Sequence, residues 1–143
     1  MTELIISDNK SLLDIKKIHH FLTTESSWAQ GISLEIVVRS IENSICIGAY
    51  LGAQQIGFCR IITDHATFAN LVDLIVWPEY RGQGVSLKLM DAVTEHPAVQ
   101  GIRRFTLATS DAHGLYQKYG FKPLKLPHTF MEVYVPDIYA KAP

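Results

Sequence analysis

Apolar positions along the chain follow two rhythms, and the change from one to the other marks the elements. Glu3 to Ser7 reads as a short strand. Ser11-Leu12-Leu13-Asp14 has the look of a capping box, and Leu12, Ile15, His19 and Leu22 then recur at helical spacing, predicting a helix to about Thr23. Residues 24–32 read as a loop, after which Ser33 can cap a second helix with Leu34, Val37 and Ile41 on one face. Ile45 to Tyr50 and Gln55 to Thr63 are strands joined through Leu51-Gly52-Ala53-Gln54 into a hairpin. A polar turn, Asp64 to Ala69, leads to the apolar strand Leu71 to Val76. Val85, Leu89, Ala92 and Val93 form the stripe of a third helix that should stop near His96, before Pro97. Arg104 to Ala108 is a further strand. Ala112 to Tyr119 is a short helix with Asp111 as N-cap and Gly120 as left-handed C-cap. Met131 to Val135 is expected to close the sheet. The pattern βαα-βββ-α-β-α-β predicts a mixed α/β sheet with helices on its faces.

At 143 residues, 48% of them apolar, the chain suits one domain with a sizeable core, spanning 1–143. Thirteen basic against fourteen acidic residues, without blocks of like charge, argue against nucleic acid as the main partner. Cys46 and Cys59 lie in apolar strand-like runs and read as buried free thiols, which fits a reducing compartment. The N-terminus has no signal-peptide apolar core, and no run approaches a membrane span, so a cytoplasmic location without a membrane partner is expected. The six histidines show no metal-ligand spacing, and no metal is expected.

Candidate chemistry concentrates in Val76-Trp77-Pro78-Glu79-Tyr80-Arg81-Gly82-Gln83-Gly84-Val85-Ser86. Here a strand stops at a Pro-containing turn, and two glycines alternate with other residues where a helix starts. Such a layout presents bare backbone N–H groups, backed by the helix dipole, to an anion. On the glycines alone, an αβ connection with no ligand is an equally good reading. Neither the P-loop pattern nor the full dinucleotide fingerprint is present.

Three stretches together carry a resemblance. They are Tyr80-Arg81-Gly82-Gln83-Gly84 after Val76-Trp77-Pro78, the helical stretch ending Leu89-Met90, and Ala112-His113-Gly114-Leu115-Tyr116-Gln117-Lys118-Tyr119-Gly120-Phe121. The first resembles the acetyl-CoA motif, and the last the second signature, of the GCN5-related N-acetyltransferase (GNAT) superfamily. The likeness is strong over residues 45 to 125 and only one of layout before that. Ser86 departs from the Gly or Ala usual there, and Thr109 from the usual Asn; no role is carried onto Thr109. The resemblance implies a mostly antiparallel sheet of six to seven strands, helices on both faces and a splayed central strand pair. It also implies acetyl-CoA as cosubstrate, and members often form homodimers.

By that resemblance, Arg81, Gly82, Gln83, Gly84, Val85 and Ser86 hold the cofactor diphosphate. The exposed edge of Leu74, Ile75 and Val76 pairs with the pantetheine amides as an added strand would. The reaction it implies is direct attack of a primary amine on the thioester. Freeing a lysine-like amine of its proton costs about 4–5 kcal/mol at neutral pH, from a pKa near ~10.4, so a base or a water chain helps. Tyr116 stands where the family often places the acid that reprotonates the departing thiolate; a core tyrosine is the alternative. Asp73 interrupts an apolar strand and reads as a proton relay, a site for the substrate's cation, or a carboxylate paired across strands. Trp28 and Glu25, in the loop after the first helix, are candidate acceptor-binding residues, with a plug between helices the other reading of Trp28. Arg60 and Glu132 are candidates for the same cleft. Asp64 and His65 read as turn residues, and His113 as a capping or surface residue.

The expected activity is acetyl transfer from acetyl-CoA to the primary amine of a small molecule. Two rivals stand beside it: a non-catalytic acyl-CoA-binding module, and a structural α/β domain whose glycine turn is empty.

Overall fold

The β-hairpin read from the sequence lies in the middle of the sheet in the computed structural model, which describes residues 3–140. Five strands lie in chain order: β1 (Leu4–Ser7), β2 (Ile45–Leu51), β3 (Gln54–Thr63), β4 (Phe68–Val76) and β5 (Arg104–Leu107). The first three junctions are antiparallel and the last, β4 to β5, is parallel. Among the described residues four α-helices accompany them: α1 (Ile15–His20), α2 (Leu34–Glu42), α3 (Val85–Glu95) and α4 (His113–Gln117).

The sheet separates two apolar clusters. Ile47, Ala49, Ile61 and Leu71 face α3 and α4, packing on Val85, Leu89, Met90, Val93 and Tyr116. Cys46, Phe58 and Ile75 face α1 and α2, packing on Ile18, Phe21, Val37 and Ile41. Along β2 the neighbours Cys46 and Ile47 therefore fall in opposite clusters, as strand alternation requires. A buried amide links the α1 layer to the sheet. Gln55 Oε1 accepts from the Asp14 backbone N–H at 2.7 Å, its Nε2 donates to the Gly57 carbonyl at 3.1 Å, and Lys17 Nζ donates to the Gln55 carbonyl at 2.7 Å.

Several elements depart from the sequence reading. The single helix expected from Ser11 to Thr23 is three pieces: a 3₁₀ turn over Lys10–Leu12, α1, and a π-helical turn over Phe21–Glu25. Asn9 caps the first piece and Asp14 the second, so the polar residue inside the apolar pattern restarts the helix. The turn before β4 ends sooner than expected because Asp64 gathers it. Its carboxylate accepts from the backbone N–H groups of Ala66, Thr67 and Phe68 and from the Thr67 hydroxyl. Asp111 does not cap α4; Thr109 Oγ1 accepts from the Asp111 and Ala112 N–H groups instead. Gly120 is left-handed as predicted (φ 91°).

The largest correction concerns the last strand. Among the described residues the sheet has five strands, not six or seven, and Met131 to Val135 belong to none of them. This stretch is an extended arm, with Met131 96% and Val133 99% exposed. Its apolar alternation is strand-like, but no edge of its own sheet receives it. The arm is pinned at both ends. The Arg104 guanidinium lies 4.8 Å from the Phe130 ring centroid, and the Tyr139 carbonyl sits where any side chain at Gly31 would project.

Candidate active site

The parting of β4 and β5 is built into their lengths. They pair only from Phe68–Arg104 to Leu71–Leu107, where β5 ends while β4 continues to Val76. Leu74, Ile75 and Val76 therefore run on with no β5 partner, which is the splay implied by the family resemblance. On the other side, β4 meets β3 through a bulge: Asp73 and Leu74 together oppose Cys59 between the Arg60–Val72 and Phe58–Ile75 pairs. Asp73 takes the extra twist in a left-handed conformation, φ 56°, which costs a non-glycine residue about 1–2 kcal/mol.

That twist directs the Asp73 carboxylate into the α1–α2 layer, where both oxygens are engaged. Oδ1 accepts from Trp28 Nε1 at 2.8 Å, and Oδ2 from Arg60 Nε at 3.1 Å. Arg60 also donates from Nη1 to Ser44 Oγ at 3.0 Å. The Arg60 and Asp73 side chains are both largely buried, so the pair is neutralised rather than left as a bare charge. Trp28 is 49% exposed and touches Phe21, whose ring in turn meets Trp77. The indole is thus fixed at one edge by a carboxylate and open on its outer surface. Glu25 is exposed in the π-helical turn three residues earlier.

Beyond β4, Pro78–Tyr80 form a 3₁₀ turn and Arg81 folds back, donating from Nε to the Val76 carbonyl at 2.9 Å. Arg81 therefore ties the loop to the strand end, a function the sequence reading did not foresee. Gly82 (φ 77°) and Gly84 (φ 81°) are both left-handed, and a Cβ on either would enter open space. Among the described residues no protein acceptor meets the N–H groups of residues 82–87; the first to be satisfied is Lys88, by the Gly84 carbonyl at 3.2 Å. Gly82, Gln83 and Gly84 are exposed, Ser86 is half-buried, and Val85 anchors α3 in the core. The eleven-residue α3 adds its dipole to this row of donors.

Tyr116 lies on α4 in the cluster under α3, edge-on to Phe121 at 6.2 Å. Burial first, then Cys59 and Asp111 nearby, push its hydroxyl above the ordinary tyrosine pKa, so it stays protonated throughout the neutral range. Tyr119 is engaged elsewhere, its one hydroxyl proton shared between the Leu87 carbonyl at 3.0 Å and Asp91 Oδ1 at 2.9 Å. The structure thus gathers Trp28, Asp73 and Arg60 into one cluster and residues 81–86 into a second. Glu132 lies on the arm. Ser44 was missed by sequence reasoning, as it sits sixteen residues from Arg60 with no local signal.

Residues 42–123, more than half of the chain, match the family described as the acetyltransferase (GNAT) domain. Over 81% of this chain and 77% of its own length, FG08082 of Gibberella zeae, named as an acetyltransferase, is 27% identical. A GNAT-family crystal structure from Xanthomonas campestris pv. campestris superposes with a TM-score of 0.96 at 50% identity, covering 99% of each chain. A Clostridium acetobutylicum structure solved with acetyl-CoA superposes with a TM-score of 0.68 at 17% identity, covering 94% of this chain and 96% of that one.

Proposed function

The chain belongs to the GNAT acetyltransferase family, and from that premise we propose that it transfers an acetyl group from acetyl-CoA to the primary amine of a small molecule. The observation that carries the proposal is the row of unclaimed N–H groups from Gly82 to Leu87, with open space at both glycine Cβ positions. Such a cradle fits a diphosphate, because each anionic oxygen meets donors that need no reorganisation. That the Clostridium relative was solved with acetyl-CoA supports this choice of ligand.

In this reading the unpaired edge of Leu74 to Val76 holds the pantetheine amides by strand-like hydrogen bonds. Acetyl-CoA supplies the activated acyl group. The acceptor amine approaches from the side of Trp28, whose open indole surface packs the acceptor's apolar part. Asp73 acts as a positioning residue: it holds the indole while Arg60 neutralises its charge. The acceptor, freed of its ammonium proton by water, bonds through nitrogen to the thioester carbon, and the nitrogen then gives up a second proton to water. The carbon–sulfur bond breaks, Tyr116 donates its Oη proton to the departing sulfur, and water reprotonates the phenolate.

The test is CoA release with a panel of amines, run beside acetyl-CoA calorimetry. Tyr116→Phe should retain acetyl-CoA binding and lose roughly 10²–10⁴-fold in kcat. Full turnover by Tyr116→Phe would remove the acid role. Binding without CoA release for any amine would instead mark a non-catalytic acyl-CoA-binding module.

A further inference from the structure

We propose that Trp28 selects acceptors with an ammonium at each end of a short alkyl chain: its open indole face holds one ammonium while the other nitrogen attacks the thioester. The inference rests on the acetyl-transfer reading and narrows its acceptor to a diamine. Three rings of the α1–α2 layer stand in a row, Trp28, Phe21 and Trp77, with centroids 6.5 and 6.1 Å apart. At the inner end the chain supplies its own cation. Trp77 is 5% exposed, and Lys17 Nζ lies 4.8 Å from its ring centroid. The outer end offers the same ring without that partner. Trp28 is half-exposed, and among the described residues no lysine or arginine lies over it. Of the aromatic side chains, an indole attracts a cation most strongly, and the attraction grows as water is removed.

Charge around the indole favours the same ligand. Between Lys17 and Arg39 the chain contains no lysine or arginine, and Glu25 is exposed three residues before Trp28. Among the described residues Glu25 makes no ion pair, so its carboxylate is free to serve as counter-ion. Arg60, which reaches the carboxylate that holds the indole, is cancelled by it at 3.1 Å. The His19 ring is spent on the Ile32 carbonyl at 2.9 Å. The turn that meets Gly31 through the Tyr139 carbonyl brings Asp137 and no basic residue. The face is also fixed before any ligand arrives, because Nε1 donates to Asp73 Oδ1 at 2.8 Å, so binding costs little ordering. Reach agrees with a short chain. Asp73 adjoins Leu74, on the strand edge assigned to the acyl donor, so the two nitrogens of the acceptor need not lie far apart. A monoamine cannot satisfy both ends: its one nitrogen must go to the thioester, and the indole then meets only a methyl group.

The test measures CoA release with diaminopentane, pentylamine and the ω-amino acid of the same length. kcat/KM is expected to fall in that order, with diaminopentane about tenfold or more above pentylamine. Trp28→Leu should bring the diamine and the monoamine to within about twofold of each other, the statistical factor for two identical nitrogens, whereas Trp28→Phe keeps a ring face and should keep part of the preference. Should Trp28→Leu not fold, Glu25→Gln decides: it should lower the ratio about threefold, and an unchanged ratio would count against the proposal. Indole fluorescence gives a readout that needs no turnover. Diaminopentane should quench wild type saturably, pentanol should not, and Trp28→Leu, left with only the buried Trp77, should lose the response. A wild-type ratio of about two or less, or a full preference surviving Trp28→Leu, would overturn the proposal. If no amine releases CoA, the acetyl-transfer reading fails by itself. The fluorescence titration then decides the cation face alone, a saturable quench by diaminopentane supporting it and no quench removing it.

Discussion

Replacing Gly84 by alanine separates the loop's role in folding from the anion binding proposed for it. In the free protein the added methyl meets nothing, so the cost to folding is the left-handed backbone alone, about 1–2 kcal/mol. In a chain of this length that lowers Tm by about 3–8 °C. In the proposed complex the same methyl would take up space assigned to the diphosphate. Displacing the anion from two charge-assisted N–H donors, at about 1.5 kcal/mol each, costs about 3 kcal/mol, or roughly a hundredfold in Kd. Gly101 supplies the control. It too is left-handed, φ 73°, with open space at its Cβ, but it lies in the turn before β5 rather than in the loop. Gly101→Ala should therefore match the loss in Tm and leave acetyl-CoA affinity unchanged. The assay is calorimetric titration of acetyl-CoA into wild type and both variants, beside thermal melts. If Gly84→Ala bound as tightly as Gly101→Ala, residues 82–87 would not be the anion site.

Asp73→Asn keeps the left-handed backbone and an acceptor for the Trp28 indole but leaves Arg60 uncompensated; a stability loss of about 2–3 kcal/mol in urea is expected, discounted for partial exposure from a fully buried pair. The same variant should raise KM for the amine while acetyl-CoA affinity holds within about twofold, and an equal rise in both would place Asp73 on the cofactor side instead. Burial pushes the Cys46 thiol up to about 11 and Cys59 higher still, so neither should react with a disulfide reagent at mildly alkaline pH until denaturant is added. Thr67 hydrogen bonds, with those of Ala66 and Phe68, hold the Asp64 carboxyl well below its ordinary 3.8. Its contribution to stability is therefore complete above that value and is lost as pH falls through it toward the folded-state pKa. Asp64→Ala should accordingly flatten the acid limb of the Tm–pH curve, and an unchanged limb would refute that assignment.

Features encoded within a few residues of one another were legible in the sequence. The strand–turn–helix around Gly82 and Gly84, and the α4 segment ending at Gly120, depend on local backbone chemistry, and they lie where the pattern put them. Partners distant in the chain were not legible. Trp28 and Asp73 are 45 residues apart, and nothing near either names the other. Asp14 looked like part of one capping box because its competitor Ser11 is as good a cap by residue type; only the tie to Gln55 decides between them. The arm was misread for a different reason. The alternation from Met131 to Val135 says that a segment suits a sheet, but not which sheet.

The bulge in β4 has one more implication. Asp73 turns toward the indole layer, while Leu74, the next residue, packs under α3 and α4. Whatever rests on Trp28 and whatever threads the edge of Leu74 are thus surveyed from one pair of adjoining peptides. On the proposed reading, an acceptor resting on Trp28 and an acyl donor along Leu74 would both be registered to this one bulge.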